Sequence, residues 1–167
     1  MKQIVVLLSL CFVAPFTCLA ADSPDKAGTQ AAGYTPGLGD LMTASVQPRH
    51  TKLGLAGQAG NWAYASYEFG ELKEALDEVA DLLPTWEGKP IATMLHSITE
   101  KPLQMLDAAI QAKDGRAFNK AYASLTAACN LCHTNAGKPM IVIQVPATSF
   151  YPDQNFKPDQ NLKPLGK

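Results

Sequence analysis

Two thiols and an imidazole lie within five residues of each other, in the run Cys129-Asn130-Leu131-Cys132-His133. Residues three apart on a helix share a face, so both thiols of such a run can reach the same edge of one ligand. The histidine that follows projects from nearly the same face. This spacing is typical of haem c attachment, in which two sulfurs form thioethers and the imidazole ligates the iron. We therefore expect one covalently bound haem at Cys129, Cys132 and His133.

Three other kinds of site contain two cysteines at this spacing. A redox-active Cys-x-x-Cys usually begins a helix, where the dipole lowers the pKa of a thiol, whereas Cys129 and Cys132 fall at the end of a helical pattern. A structural zinc site needs four ligands, and no second cluster of Cys or His provides the fourth. The third alternative is a disulfide or two core cysteines, but a disulfide this short closes almost no loop and stabilises little.

A second axial ligand to the iron could come from an earlier helical segment. His50 lies at the flank of the apolar stripe of that segment, and Met42 lies on the stripe about two turns before it. Either side chain could reach the iron, and a site without a second protein ligand is the third alternative. His96 falls off the apolar face of its own segment, which indicates a surface position.

Arg49 and Lys52 stand on either side of His50 and have two interpretations. Both could pair with haem propionates, for which an arginine guanidinium is geometrically suited. Alternatively, they are solvated charges on an exposed helix face. The spacing of the residues does not choose between the two.

The elements that must position these residues begin after an export signal. Lys2 and the apolar run 4–16 are typical of a secretory signal peptide, and Cys18-Leu19-Ala20 places small residues where a signal peptidase reads them. Cleavage after Ala20 would leave only Cys129 and Cys132 in the mature chain. We therefore expect a periplasmic protein of a Gram-negative bacterium, in an oxidising compartment.

The net charge of the chain limits the classes of partner that we expect. It carries 14 Lys and Arg against 15 Asp and Glu, a formal net charge of −1, without an evident basic patch. Nucleic acids and anionic membrane surfaces are therefore not expected partners. After Ala20 no apolar run approaches the length of a transmembrane helix, so we expect no membrane span in the mature chain.

Four stretches with helical periodicity follow a flexible lead-in that is rich in Gly, Pro, Ala and Thr. They span about 40–59, Asn61 to Pro84, the stretch from Pro90 onwards, and about Asp114 to Gly137. Pro48 should kink or restart the first helix, and Pro102 should kink the third or divide it in two, because proline lacks the N–H that a helix needs.

Short connections make successive helices antiparallel neighbours. The sequence therefore predicts an all-α fold, an antiparallel (up-down-up-down) four-helix bundle with an irregular C-terminal tail. The expected organisation is a signal peptide at 1–20, a flexible segment at 21–39, the haem-binding bundle at 40–137 and the tail at 138–167, with a short extended run at 140–145.

With the attachment motif at the end of the fourth helix, the chain resembles the class II c-type cytochromes, the cytochrome c′ group. That resemblance implies an exported four-helix bundle whose first helix supplies the residue facing the distal side of the haem. The chain is also similar to proteobacterial exported proteins described as cytochrome c-like. The residues shared with those proteins are Arg49-His50-x-Lys52-Leu53, Ala56-Gly57, Asn61-Trp62, Tyr67-Glu68, Glu71-Leu72 and Leu125-Thr126-Ala127-Ala128-Cys129-Asn130.

These expectations lead to a mono-haem c-type cytochrome that transfers electrons to and from redox partner proteins. We expect an electron carrier and not an enzyme, with haem peroxidase activity as the weakest alternative. The principal alternative is a protein that binds nitric oxide or carbon monoxide at an open sixth haem position. Another is a haem accessory subunit of an oxidoreductase, and a homodimer is an alternative assembly.

Overall fold

Residues 34–158 are described by a computed structural model of the chain, and this part is all-helical, without a β-strand. We number its four helices α1 to α4. Helix α1 covers residues 38–58, α2 is Trp62–Leu82, α3 is Ile91–Gln111 and α4 is Gly115–Asn135. The signal peptide and most of the lead-in predicted for residues 1–39, and the last nine residues of the tail, lie outside the described residues.

Helix α1 contains one widened turn. It is α-helical over Leu38–Leu41, π-helical over Met42–Val46 and α-helical again over Gln47–Gln58. The backbone N–H of Gln47 donates to the carbonyl of Met42, five residues earlier. Pro48 thus falls in the first turn of the last part, where its missing N–H costs little. The predicted restart at Pro48 therefore takes the form of a π-helical turn.

Side-chain caps fix the starts of two helices where the sequence predicts them. The side chain of Asn61 accepts a hydrogen bond from the backbone N–H of Tyr64, 3.3 Å away. The side chain of Asp114 accepts from Arg116 and Ala117 at 2.9 and 3.0 Å. Both caps satisfy N–H groups that have no partner within the helix.

Helix α3 runs unbroken through Pro102, so it is not two shorter helices. Pro90 is the N-cap, so the helix begins at Ile91, one residue after the first helical position that the sequence predicted at Pro90. Helix α4 ends in a Schellman motif, in which Gly137 has a φ of +80°. The N–H of Gly137 donates to Thr134 at 3.0 Å, and that of Lys138 donates to His133 at 2.8 Å.

Each helix packs against two others: α1 against α2 and α4, and α3 against α2 and α4. The largest fully buried side chains come from all four helices and form one core. They include Leu53, Leu72, Leu106, Phe118 and Leu125. Within the described part of the chain, no helix is both long and apolar enough to cross a membrane.

The described part of the tail, residues 138–158, forms neither helix nor strand, and it packs on the helices. Phe156 is buried and stacks on Tyr64 with ring centroids 5.5 Å apart. The hydroxyl of Tyr64 donates to Gln154 at 2.9 Å, and the side chain of Gln58 donates to the carbonyl of Pro146 at 3.2 Å. These contacts order the tail although its sequence has no periodicity.

Candidate functional site

The last two turns of α4 present the Cys-x-x-Cys-His run to a cavity of about 290 Å³. Cys129, Cys132 and His133 all line this cavity, and Met42 and His50 of α1 line it as well. The structure thus places at one cavity the two cysteines predicted to attach a haem, the histidine predicted to ligate its iron, and both candidates for a second ligand. Cys132 is buried, and Cys129 and His133 are half-buried.

The walls of the cavity are largely apolar and come from every helix and from the tail. The large apolar residues that line it are Leu38, Val46, Leu76, Trp86, Ile91, Leu95, Ile141 and Ile143. Such a space suits a flat apolar ligand held by a few polar groups. Lys138 is the one lining residue with a permanently charged side chain among the residues that the structure describes.

The orientation of His133 is set by the tail. Its Nδ1 lies 2.9 Å from the carbonyl oxygen of Ile141. Because a carbonyl can only accept, Nδ1 carries a proton, and in the neutral imidazole the lone pair is then on Nε2. A hydrogen bond of this kind selects the tautomer and orients the ring of a metal-binding imidazole. His133 is therefore prepared to ligate a metal through Nε2.

Asn130, between the two cysteines, holds the same stretch of tail. Its side-chain amide donates to the carbonyl of Ile143 at 2.9 Å, and its side-chain oxygen accepts from the N–H of Ile143 at 2.7 Å. This pair of bonds fixes Ile143 and so brings Ile141 to His133. The sequence analysis did not predict this role of Asn130. The one sign of it in the sequence is an amide side chain at a variable position of the motif.

The two cysteines have the properties of buried, neutral thiols. They form no disulfide. Burial raises the pKa of Cys129 to about 11 and also raises the pKa of Cys132. A dithiol redox site needs the opposite shift. Within residues 34–158 no group of three or more His, Cys, Asp or Glu side chains is placed to hold a metal ion.

His50 is buried, and both of its ring nitrogens have protein partners. Nε2 lies 3.1 Å from the hydroxyl of Thr126, and Nδ1 lies 3.0 Å from the hydroxyl of Tyr122. Tyr122 also stacks on the ring, with centroids 4.7 Å apart. Burial lowers the pKa of His50 to about 4. Each ring nitrogen faces a protein hydroxyl, so the ring would have to move away from Thr126 or Tyr122 before it could ligate a metal.

Met42 is half-buried on the cavity wall, where it begins the π-helical turn. Single π-helical turns inside α-helices are frequent at functional sites. A thioether needs no proton and no hydrogen-bond partner. Of the two side chains that the sequence offered for the distal side, Met42 is the one without a competing hydrogen bond.

Arg49 and Lys52 do not line the cavity. The guanidinium of Arg49 pairs with Glu71 at 2.8 Å and with Glu68 at 3.4 Å. The ammonium of Lys52 lies 4.8 Å from the centre of the Tyr151 ring. Glu68 is 1% exposed, and its burial raises its pKa although Arg49 opposes that shift. Arg49 therefore balances a buried carboxylate between α1 and α2. His96 is exposed on α3, as its pattern predicted.

Comparisons with models of protein families, with curated proteins and with solved structures find no match to this chain.

Proposed function

We propose that this chain is an exported mono-haem c-type cytochrome of the class II type, and that it transfers electrons through a covalently bound haem. One observation carries the proposal. An apolar cavity is lined by two neutral thiols and by an imidazole whose Nδ1 is committed to the carbonyl of Ile141. The donor set and the apolar walls both fit haem c.

Each residue of the run would have a separate role. Cys129 and Cys132 would hold the haem through thioethers, and His133 would ligate the iron through Nε2. When bound, haem supplies an iron centre that takes up and releases one electron. The carbonyl of Ile141 holds the imidazole in one tautomer, and Asn130 holds Ile141 in place through Ile143. The apolar walls would limit contact between the bound haem and water. This favours a small reorganisation energy for electron transfer.

We assign to Met42 the role of a second protein ligand, which would hold the iron through its thioether. Its thioether lies on the cavity wall and competes with no hydrogen bond. A second strong ligand favours electron transfer, because it leaves no position for a substrate. With this second ligand the chain would act as an electron carrier. Its partners would be redox proteins that dock near Cys129 and Cys132.

The arrangement of the helices and the location belong to the same proposal. The three connections between the helices are short and each consecutive pair is in contact, which favours the antiparallel up-down-up-down order. The signal-like residues 1–20 favour export to the periplasm, where haem attachment would prevent loss of the cofactor.

The second candidate function is binding of a small gas such as nitric oxide or carbon monoxide. The hydroxyls of Thr126 and Tyr122 that face the two nitrogens of His50 favour it, because the ring would have to leave them to reach the iron. The apolar distal wall around Val46 would suit an apolar diatomic ligand. This candidate requires that Met42 does not ligate either.

Optical and EPR spectra of the purified protein, with and without carbon monoxide, distinguish electron transfer from gas binding. Electron transfer with Met42 as ligand predicts low-spin iron and a ferrous spectrum that the gas does not change. In Met42→Leu the iron should become high-spin and respond to the gas, whereas Met105→Leu, an exposed position of α3 outside the cavity, should behave as wild type. A wild-type protein that is high-spin and binds the gas would reverse the order of the two candidates.

A further inference from the structure

Lys138 carries the permanent charge of the cavity wall. It lines the cavity, and among residues 34–158 no other lining side chain carries a permanent charge. A charge taken out of water is favourable only when it is paired. A ligand that brought a carboxylate into this cavity would therefore find its cation at Lys138.

The backbone ties Lys138 to His133. The N–H of Lys138 donates to the carbonyl of His133 at 2.8 Å, within the Schellman motif that Gly137 makes possible. The distance between the base of the lysine side chain and the imidazole is thus fixed by one turn of backbone. A ligand held by His133 would meet Lys138 at a defined place.

The ammonium itself is held at the rim by a tight turn. Trp86 and Lys89 exchange two backbone hydrogen bonds, of 3.0 and 2.8 Å, and the two residues between them have positive φ. The ammonium of Lys138 lies 4.8 Å from the centre of the Trp86 ring and 3.4 Å from the carboxylate of Glu87. An ammonium has three donors, so these contacts leave it able to bind a second carboxylate.

We propose that Lys138 binds a propionate carboxylate of the haem, and that Trp86 and Glu87 position its ammonium for this contact. The inference rests on the proposed function, since it requires a haem in the cavity. Each haem carries two propionates, and a carboxylate at an apolar rim needs a cation. Arg49 is engaged with Glu68 and Glu71 and does not line the cavity. The propionate contact therefore falls to a residue after the motif and not to the first helix.

The reduction potential of the purified, haem-loaded protein tests this contact. Removing a nearby positive charge favours the ferric state, so Lys138→Gln should shift the potential to a more negative value. Lys138→Arg keeps the charge and should stay near wild type. Lys120→Gln removes a charge from an exposed position of α4 and should have no effect. An unchanged potential in Lys138→Gln would overturn the inference.

A second measurement on the wild-type protein does not depend on a variant that folds. A water-soluble carbodiimide joins an amine and a carboxylate in contact: the carboxylate is activated, Nζ attacks it, and the lost water leaves as part of a urea. We expect a haem-bearing peptide lighter by one water, with the amide between Lys138 and a propionate. Coupling of Lys138 to Glu87 alone would overturn the inference. A protein without haem would instead overturn the proposed function.

Discussion

The two hydroxyls that face the ring of His50 act as hydrogen-bond acceptors and not as donors. The hydroxyl of Tyr122 donates to the carbonyl of His50 at 2.6 Å, and that of Thr126 donates to the carbonyl of Tyr122 at 2.9 Å. Both hydroxyl oxygens can then only accept from the ring. A neutral imidazole has one N–H and can satisfy one of them. Burial nevertheless keeps the ring neutral, because it lowers the pKa to about 4.

Replacement of His50 should reduce the acid sensitivity of the fold. Between pH 6.5 and pH 4 the unfolded state binds a proton on His50 that the folded state does not. The free energy of unfolding should therefore fall by about 3 kcal/mol as the pH decreases through this range. In His50→Gln this part of the decrease should be absent. Chemical denaturation at several pH values measures it.

The comparison of wild type with His50→Gln isolates this one group. Burial raises the pKa of Glu68, so the folded state takes up its proton at a higher pH and this carboxyl changes stability in the opposite direction. Its effect is common to both proteins and cancels in the difference. Equal pH dependence in both proteins would show that His50 is not buried in its neutral form.

Residue types and spacing predicted a site at the Cys-x-x-Cys-His run but not the contacts that position its side chains. Cys129, Cys132 and His133 form a local pattern whose chemistry depends on neighbours in sequence. The partners of His133 and His50, which are Ile141 and Tyr122, lie 8 and 72 residues away, and contacts between distant residues leave no periodic signal. The same holds for Arg49, whose carboxylate partners are on another helix.

Helix α1 can approach α4 closely because Gly57 has no side chain. A Cβ at Gly57 would overlap the ring of Phe118, a fully buried residue. Gly57→Ala should therefore lower the free energy of unfolding by about 1–3 kcal/mol through overpacking. Gly70 lies inside α2 with no atom within 4 Å of an added Cβ, so Gly70→Ala should stabilise the protein by about 0.5–1 kcal/mol. Urea denaturation measures both, and a destabilisation of similar size in each would contradict this packing.

Asn130 should determine how firmly residues 141–143 stay on α4. Asn130→Ala removes both hydrogen bonds to Ile143. Each is worth about 1 kcal/mol, so exchange of the Ile143 amide hydrogen should become at least about tenfold faster. Asn135→Ala, at the exposed last residue of α4, is the matched control. Hydrogen exchange followed by NMR measures this, and unchanged protection of Ile143 would show that other contacts hold the segment.

The helices could be predicted because local rules fix their ends. Asn61, Asp114 and Gly137 each act on neighbouring backbone groups. Pro48 and Pro102 left alternatives open, since a proline can be accommodated by a π-helical turn or by an unbroken helix depending on packing. The path of the tail could not be predicted, because it is held by hydrogen bonds and a ring contact to three different helices.

The cavity is a property of the whole described fold. Met42 comes from α1, Leu76 from α2, Leu95 from α3, His133 from α4 and Ile141 from the tail. A ligand that binds this cavity and not the unfolded chain would stabilise all five parts together. A covalently held haem would also touch all five parts and could not be lost to solution, and this makes its presence the central claim.

The mass and colour of the mature protein test that claim most directly. The chain is expressed in a bacterium with a working cytochrome c maturation system, and the intact mass is measured together with the absorption spectrum. We predict a red protein heavier than the mature polypeptide by one haem, and a Cys129→Ser, Cys132→Ser double variant that lacks this added mass. A colourless wild-type protein with the mass of the polypeptide alone would contradict the account.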